Sequence, residues 1–325
     1  MDLVLRGVNI KGGYEMSNLY VDAVNNVSLE LYRNEIFGIA GESGCGKSTL
    51  VKILYGYIEP PLKLKSGSIE LYPSNNEKPF MISSLSLDEL RNTVWWKHVS
   101  YIPQNSMNVL NPTTRIRDHF AEMYKTYTGM KKKEAYAMAR KYLEGFGLPS
   151  DALQAFPHQL SGGMRQRIVI AMSLLLQPDL VLADEPTSAL DVINQRAALM
   201  FLKKAQEKLK NTIVLVSHDM GIHSVLTDRM GVMYAGNIVE IGGTRAIFEK
   251  PLHPYTKALI ESLPRLGDKA RRTGLKGQPP DLRRPPSGCR FHPRCPYYKP
   301  ICQKEEPKLL KIEKDREVSC WIYAS

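Results

Sequence analysis

The sequence predicts an α/β protein: a largely parallel sheet carrying a phosphate loop, an antiparallel β piece ahead of it, a helical insert within it, and a small loop-rich cysteine domain behind it. Three observations point there. Gly41-Glu42-Ser43-Gly44-Cys45-Gly46-Lys47-Ser48 fits the spacing G-x-x-x-x-G-K-[ST], between an apolar run at Ile36 to Ala40 and a helical stretch at Thr49 to Tyr55. The apolar runs Leu180 to Ala183 and Thr212 to Val216 have the character of strands buried on both faces, and the helical periodicity of Asn194 to Lys210 between them predicts a strand, helix, strand crossover. Eleven of the 21 prolines, with four of the five cysteines, lie after residue 250, where a boundary is expected.

Taken in order, Leu3 to Ile10 and Val21 to Leu31 alternate as strands do, with Gly12, Gly13 and Asn25-Asn26 as breaks. Tyr14 is expected in the turn between them, where its ring could stack on a purine base; Tyr20 competes for that role, and tyrosine is equally common on half-buried strands. Gly56 and Pro60-Pro61 end the helix after the loop, Ser66 to Tyr72 gives another strand, Ser86 to Leu90 begins a helix, and His98 to Pro103 reads as a buried strand ending at Gln104. From Asn111 to Gln159 the pattern is helical, with Lys131 to Gly145 closed by Gly147 and Pro149. This stretch is expected as a helical subdomain of about residues 105–175. Leu160 to Leu176 forms a further helix entered through Gly162-Gly163. Arg229 to Tyr234 and Ile238 to Ile241 form a hairpin, and beyond residue 250 a single helix is expected near Tyr255 to Leu263.

Composition bounds the function. At 43% hydrophobic and 24% charged residues the chain has the balance of a globular protein, and no apolar run approaches the ~20 residues a bilayer demands. The stretch from Met1 to Arg6 lacks the basic and apolar regions of a signal peptide, so secretion is not expected. The net charge of +11 is concentrated at the end: residues 251–325 hold 16 Lys or Arg against 8 Asp or Glu.

The chemistry begins at the loop. Glycines let Gly41, Gly44 and Gly46 turn the chain so that successive N–H groups of Ser43, Gly44, Cys45, Gly46, Lys47, Ser48 and Thr49 face a polyphosphate, with the positive end of the new helix behind them. Lys47 would reach the outer phosphates, and Ser48 would ligate Mg²⁺. At the end of the Leu180 strand, Asp184 would hold Mg²⁺ through its water shell, and Glu185 would polarise an attacking water.

Four motifs in order name a family. Behind the phosphate loop come Leu160-Ser161-Gly162-Gly163-Met164, then Asp184-Glu185-Pro186-Thr187-Ser188-Ala189-Leu190-Asp191, then Ser217-His218-Asp219. Over residues 1–250 the chain closely resembles ATP-binding cassette (ABC) ATPases. The resemblance implies a RecA-like core, Gln104 as the glutamine that senses Mg²⁺ and the membrane subunits, and His218 as the contact to the γ-phosphate. It also implies a head-to-tail pair of domains, homo- or heteromeric, in which Ser161, Gly162 and Gly163 of one face the nucleotide of the other, and Asp191 is a further nucleotide-binding residue. The family's usual Gln at the end of the signature is Met164 here, which leaves Ser161 and Gly163 intact.

Pro251 to Leu259 and Gly288 to Pro296 look like the C-terminal region of the oligopeptide and dipeptide branch of importer ATPases, a branch that also handles nickel and oligosaccharides. The expected role is therefore ATP-driven peptide uptake, with two membrane-spanning permease subunits, a second cassette subunit, an extracellular solute-binding protein acting indirectly, and a peripheral place on the cytoplasmic face of the membrane. A soluble cassette protein contacting nucleic acid through the basic tail is the rival. It is set aside because the chain has neither long coiled-coil inserts nor a second cassette, so no nucleic-acid partner is expected.

Cys289, Cys295, Cys302 and Cys320 are arranged with the spacing C-x5-C-x6-C-x17-C. Four thiols in 32 residues suggest a metal or cluster before disulfides, and none of the close C-x2-C to C-x4-C pairs usual for zinc is present. A [4Fe–4S] cluster, a Zn²⁺ site, and free thiols or a disulfide all stay open on spacing alone. The resemblance favours the cluster, which some members of the branch carry at matching cysteines.

Overall fold

The structure is a computed structural model that describes residues 2–17, 19–75, 77–263, 275 and 277–324. Its strands are β1 (Leu3–Met16), β2 (Leu19–Tyr32), β3 (Ile36–Ala40), β4 (Leu62–Leu71), β5 (Phe80–Met81), β6 (Val99–Ile102), β7 (Leu180–Asp184), β8 (Thr212–Val216), β9 (Arg229–Tyr234), β10 (Asn237–Gly243), β11 (Leu310–Glu313) and β12 (Arg316–Val318). By contacts the chain divides into two units, Met1–Asn92 with Thr212–Ser325, and Thr93–Asn211.

The first unit holds two sheets. β1 pairs antiparallel with β2 and β4, and β4 with β5, giving the order β2-β1-β4-β5. Gly12 and Gly13, expected to break the chain, instead lie inside β1. They serve close approach: a Cβ on Gly13 would fall 1.9 Å from the Val21 carbonyl oxygen. Asn26 likewise sits within β2, at φ 49°, and the irregular registers of β1 absorb these residues as bulges. Tyr14 is therefore not in a turn. It pairs with Val21 and Leu62 in mid-sheet.

In the second sheet of this unit β3 runs parallel to both β8 and β9, and β9 turns through Ala235 and Gly236 into antiparallel β10. Every residue of β3 and β8 is buried, as two continuous apolar runs require. No pattern in the sequence announces the next two strands of this sheet. β12 pairs with β10 through Glu240↔Val318 and Ile241↔Glu317, and β11 adds to its outer edge. Strands this short carry too few residues for an alternation to show. Tyr255, Ile260 and Phe291, all beyond residue 250, share one buried cluster with Val232 and Tyr234 of β9 and Val239 of β10. The buried Glu240 carboxylate accepts the N–H groups of Leu252 and His253, both at 2.9 Å, and pairs with Arg316 at 2.7 Å. The proline-rich segment is thus tied down by side chains and short strands, which suits a stretch whose prolines cannot donate along a ladder.

In the second unit β6 and β7 are parallel, in register from Val99↔Leu180 to Ile102↔Ala183. Helices span Ile116–Thr128, Lys132–Gly145, Gly162–Ser173 and Val192–Leu209. His98 Nδ1 and Asp179 Oδ2, 2.8 Å apart and buried, stand at the starts of the paired strands, and the Tyr142 hydroxyl donates to the Ala171 carbonyl at 2.9 Å. No helix among the described residues of either unit is long and apolar enough to cross a membrane.

Candidate functional site

Parallel pairing puts loops that leave different strands side by side at the carboxyl ends, where α/β sheets bind ligands. In the first unit Ile39↔Val216 is the last pair of β3 and β8, and the Ser217 N–H donates to the Ile39 carbonyl at 3.3 Å. The phosphate loop and the Ser217-His218-Asp219 turn therefore leave the sheet together.

The loop adopts the expected conformation. Gly41, Gly44 and Gly46 have φ of 152°, 77° and 106°, and the helix begins at Lys47. Gly44 borders open space, with no atom within 4 Å of where a Cβ would be. At Gly46 a Cβ would lie 2.0 Å from the Ala23 carbonyl oxygen, so only glycine fits. Lys47, 5% exposed, turns its ammonium to the carbonyls of Gly41 at 2.8 Å and Glu42 at 3.0 Å, with Cys45 Sγ 3.8 Å away. Burial pushes the Cys45 thiol above its ordinary pKa, so it stays protonated. Ser43 is exposed, Ser48 half-buried, and Thr49 is buried with its hydroxyl 3.1 Å from that of Tyr14. Tyr14 thus stands beside the helix that leaves the loop. One ring face of its competitor Tyr20 is covered by the Lys65 ammonium, 3.2 Å from the centroid.

His218 is exposed at the end of β8. Its neighbour Ser217 is braced twice: the Ser217 hydroxyl accepts the Asp219 N–H at 3.0 Å, and its carbonyl lies 3.1 Å from Nε2 of His223. Sequence reasoning passed over His223. It is wholly buried, with Nδ1 unpaired and turned to the bare backbone of Gly38, where a Cβ would come within 2.4 Å. Burial holds its pKa down to about 4 and keeps the ring neutral.

The second unit repeats the arrangement. Ile102↔Ala183 closes the β6–β7 pairing, so Gln104 and the Asp184-Glu185 pair emerge together. Gln104 Nε2 donates to Glu185 Oε2 at 3.3 Å, and the Tyr101 hydroxyl donates to Asp184 Oδ2 at 3.1 Å. Asp184 is 2% exposed. Glu185 adopts φ 44°, a left-handed conformation that costs a side-chain-bearing residue about 1–2 kcal/mol and is characteristic of functional turns.

In the same unit the signature is a helix N-terminus. Ser161 caps it, its hydroxyl accepting the Met164 N–H at 3.3 Å, while Gly162 and Gly163 form the first turn. Asp191 caps the Val192–Leu209 helix, accepting the N–H groups of Ile193 at 3.1 Å and Asn194 at 3.0 Å; the Asn194 side chain above all, with these N–H groups adding to it, holds its carboxyl below the usual range. Asn194 connects the two. Its Nδ2 donates to Asp191 Oδ2 at 2.6 Å, and its Oδ1 would be only 2.4 Å from a Cβ on Gly163. The absence of that Cβ is what lets the signature and the Asp191 turn pack together.

The cysteine expectation is met only in part. Cys289, Cys295, Cys302 and Cys320 line one narrow cavity with His253 and His292, and all five cysteines of the chain are free thiols, so the disulfide alternative is not formed. A formed [4Fe–4S] or Zn²⁺ site is not seen: among the described residues no three or more His, Cys, Asp or Glu are placed to hold a metal ion. Burial above all, with the neighbouring cysteines adding to it, pushes the Cys289 thiol up to about 12, and burial raises Cys295 and Cys320, so these three pack as neutral, weakly polar groups. Four convergent thiols remain the right donors in kind for a four-thiolate group.

Comparison with known proteins agrees with this geometry. Residues 24–188 match the family model described as ABC transporter, and residues 239–302 match that of the oligopeptide/dipeptide transporter, C-terminal region. The chain is 36% identical to the dipeptide transport ATP-binding protein DppD of Caldanaerobacter subterraneus subsp. tengcongensis, over 99% of this chain and 98% of that protein. It is 39% identical to DppD of Bacillus subtilis, over 99% and 95%. Among solved structures, the ATP-binding cassette MJ0796 in a dimeric post-hydrolysis state with ADP and Pi superposes with a TM-score of 0.62 at 28% identity, over 74% of this chain and 99% of that one. With a phosphate loop, a strand-end Gln–Glu pair, a glycine signature and a C-terminal region of matching kind, the chain belongs to the ABC transporter family, as an ATP-hydrolysing subunit.

Proposed function

We infer that the chain energises import of peptides by binding and hydrolysing ATP. The observation that carries the reading is the Gln104 to Glu185 hydrogen bond at the ends of paired parallel strands, in a chain whose phosphate loop borders open space at Gly44. Relatives named for dipeptide and oligopeptide transport along nearly the whole chain support peptides as cargo.

In this reading the loop N–H groups and Lys47 hold the triphosphate, and Tyr14 stacks on the base. Ser48, Gln104 and Asp184 would hold Mg²⁺, which supplies charge neutralisation at the phosphate oxygens. The Glu185 carboxylate takes a proton from water as its oxygen attacks the γ-phosphorus; the bond to the β-phosphate oxygen breaks and leaves ADP and phosphate. His218 contacts the γ-phosphate and orients Glu185 with its water. Ser161, Gly162 and Gly163 act across a pair of cassettes, presenting a helix N-terminus to the nucleotide held by the partner, and Asp191 is a further nucleotide-binding residue. Two permease subunits would hold the pair at the cytoplasmic face of the membrane, with residues 1–250 as nucleotide-binding domain and 251–325 as a C-terminal domain. Cys289, Cys295, Cys302 and Cys320 would hold a [4Fe–4S] cluster, with Zn²⁺ as the competing occupant. Iron and acid-labile sulfide content of anaerobically purified protein, compared with Cys302→Ser, decides between them.

Glu185→Gln tests the mechanism. The variant should bind ATP as the parent does and hydrolyse it at least ~100-fold more slowly, as removal of a general base requires. Unchanged turnover would remove Glu185 from the reaction. Uptake assays with the cognate solute-binding protein test the cargo against oligosaccharides and nickel.

A further inference from the structure

Glu42, the second residue of the phosphate loop, is gripped by the C-terminal segment at both side chain and main chain. Arg294, directly before Cys295 and with only 6% of its side chain exposed, sends Nη1 and Nη2 to the two carboxylate oxygens of Glu42 at 2.8 and 3.2 Å, and Nη1 also to the Tyr234 hydroxyl at 3.3 Å. The fully buried Tyr255 accepts the Glu42 N–H on its hydroxyl at 2.9 Å. The Glu42 carbonyl is taken by Lys47 at 3.0 Å, so every polar group of the residue has a partner.

The anchor behind these contacts is rigid. Tyr255, Tyr234 and Phe291 pack ring against ring with centroids 4.6 to 5.6 Å apart. Arg290, in the same cysteine-bearing stretch, donates to the Ala235 carbonyl at 2.6 Å and pairs with Asp22. The Gly236 N–H in turn donates to the Cys45 carbonyl at 2.8 Å, closing a second route from this stretch to the loop.

Charge makes the arrangement consequential. Glu42 puts a carboxylate into the loop that must receive a polyphosphate, and like charges at such range oppose binding strongly where solvent is partly excluded. A bidentate guanidinium cancels that charge and fixes the carboxylate in place. We propose that Arg294 and Tyr255 are positioning residues of the nucleotide site, so that the cysteine-bearing segment sets the affinity of the phosphate loop for ATP. This rests on the reading of Gly41 to Ser48 as the triphosphate cradle.

The test is titration of the full-length chain with ATP and Mg²⁺, alongside thermal unfolding. Arg294→Gln should weaken ATP binding about tenfold or more by leaving Glu42 uncompensated. Glu42→Gln should bind at least as tightly as the parent, and Glu42→Gln with Arg294→Gln should recover to within about threefold, since the repelling charge is gone. A purely structural pair would lower the melting temperature in all three with no such recovery. Parent-like affinity in Arg294→Gln, or a double variant as weak as the single, overturns the proposal. If Arg294→Gln does not fold, Tyr255→Phe carries the test: it should weaken ATP binding about threefold, and unchanged affinity there overturns the proposal equally. A folded parent that does not bind ATP at all would instead remove the reading of the loop.

Discussion

Acidification should loosen the protein through its buried imidazoles, and His223 supplies one share of that loss beside His253, which burial holds down to about 3. His223 lies behind the Ser217-His218 turn, wholly buried, with Nε2 3.1 Å from the Ser217 carbonyl and Nδ1 unpaired against Gly38. Its folded pKa of about 4 lies below the 6.5 of the unfolded chain, so in the acid range the unfolded state binds the proton more readily. The neutral ring's contribution is complete above pH 6.5 and is lost as pH falls from 6.5 toward 4. The full loss is about 3 kcal/mol, of which about 2 kcal/mol is gone by pH 5, a sizeable part of a typical folding stability of about 5–15 kcal/mol. At about 2 °C per kcal/mol for a chain of this size, His223 alone should lower the melting temperature by about 4 °C between pH 7.5 and pH 5. The assay is calorimetry at both pH values on the parent and His223→Gln. The variant will be less stable overall, having lost its ring packing over Gly38, but its pH-dependent difference should shrink by about 4 °C. An unchanged difference would show that the ring is not held neutral in the fold, and the reasoning from its burial would be wrong.

Three further substitutions probe the rest of the architecture. Gly46→Ala sets a Cβ 2.0 Å from the Ala23 carbonyl oxygen at φ 106°, so ATP binding measured by calorimetric titration should fall below detection while the fold persists. Gly163→Ala puts a Cβ 2.4 Å from Asn194 Oδ1. ATP binding should survive, hydrolysis should drop about tenfold or more as the signature and the Asp191 turn are forced apart, and adding Asn194→Ala should restore part of the rate in a steady-state assay. Arg316→Met leaves Glu240, 0% exposed, without its cation, at a cost of roughly 3–5 kcal/mol; urea unfolding should register it, and limited proteolysis should cut first after residue 250.

Much of the site was legible because its chemistry is local. The phosphate loop needs particular glycines at fixed spacing, and a short apolar run such as Leu180 to Ala183, bounded by Pro178 and by Asp184-Glu185, reads as a buried strand, so loop, strand ends and the residues just beyond them could be read off one after another. Glu185 was found this way and Gln104 through the family resemblance, but the 3.3 Å bond between them depends on β6 and β7 being parallel and in register. The misreadings have the same origin. Gly12 and Gly13 looked like breaks because glycine is common in turns, whereas here it admits a neighbouring backbone; β11 and β12 were invisible because three or four residues carry no period.

By itself, then, the sequence determined the family, the order of motifs and the glycine-rich loop, since each is a short pattern whose meaning lies in its own spacing. Only the tertiary structure decided that Arg294 and Tyr255, more than 200 residues from Glu42, close on it, that Asn194 rests against Gly163, and that the four cysteines line one cavity. Such contacts join distant parts of the chain through burial and charge, and no local pattern encodes them. The fold supplies the neighbours, and low solvent access gives those neighbours their strength.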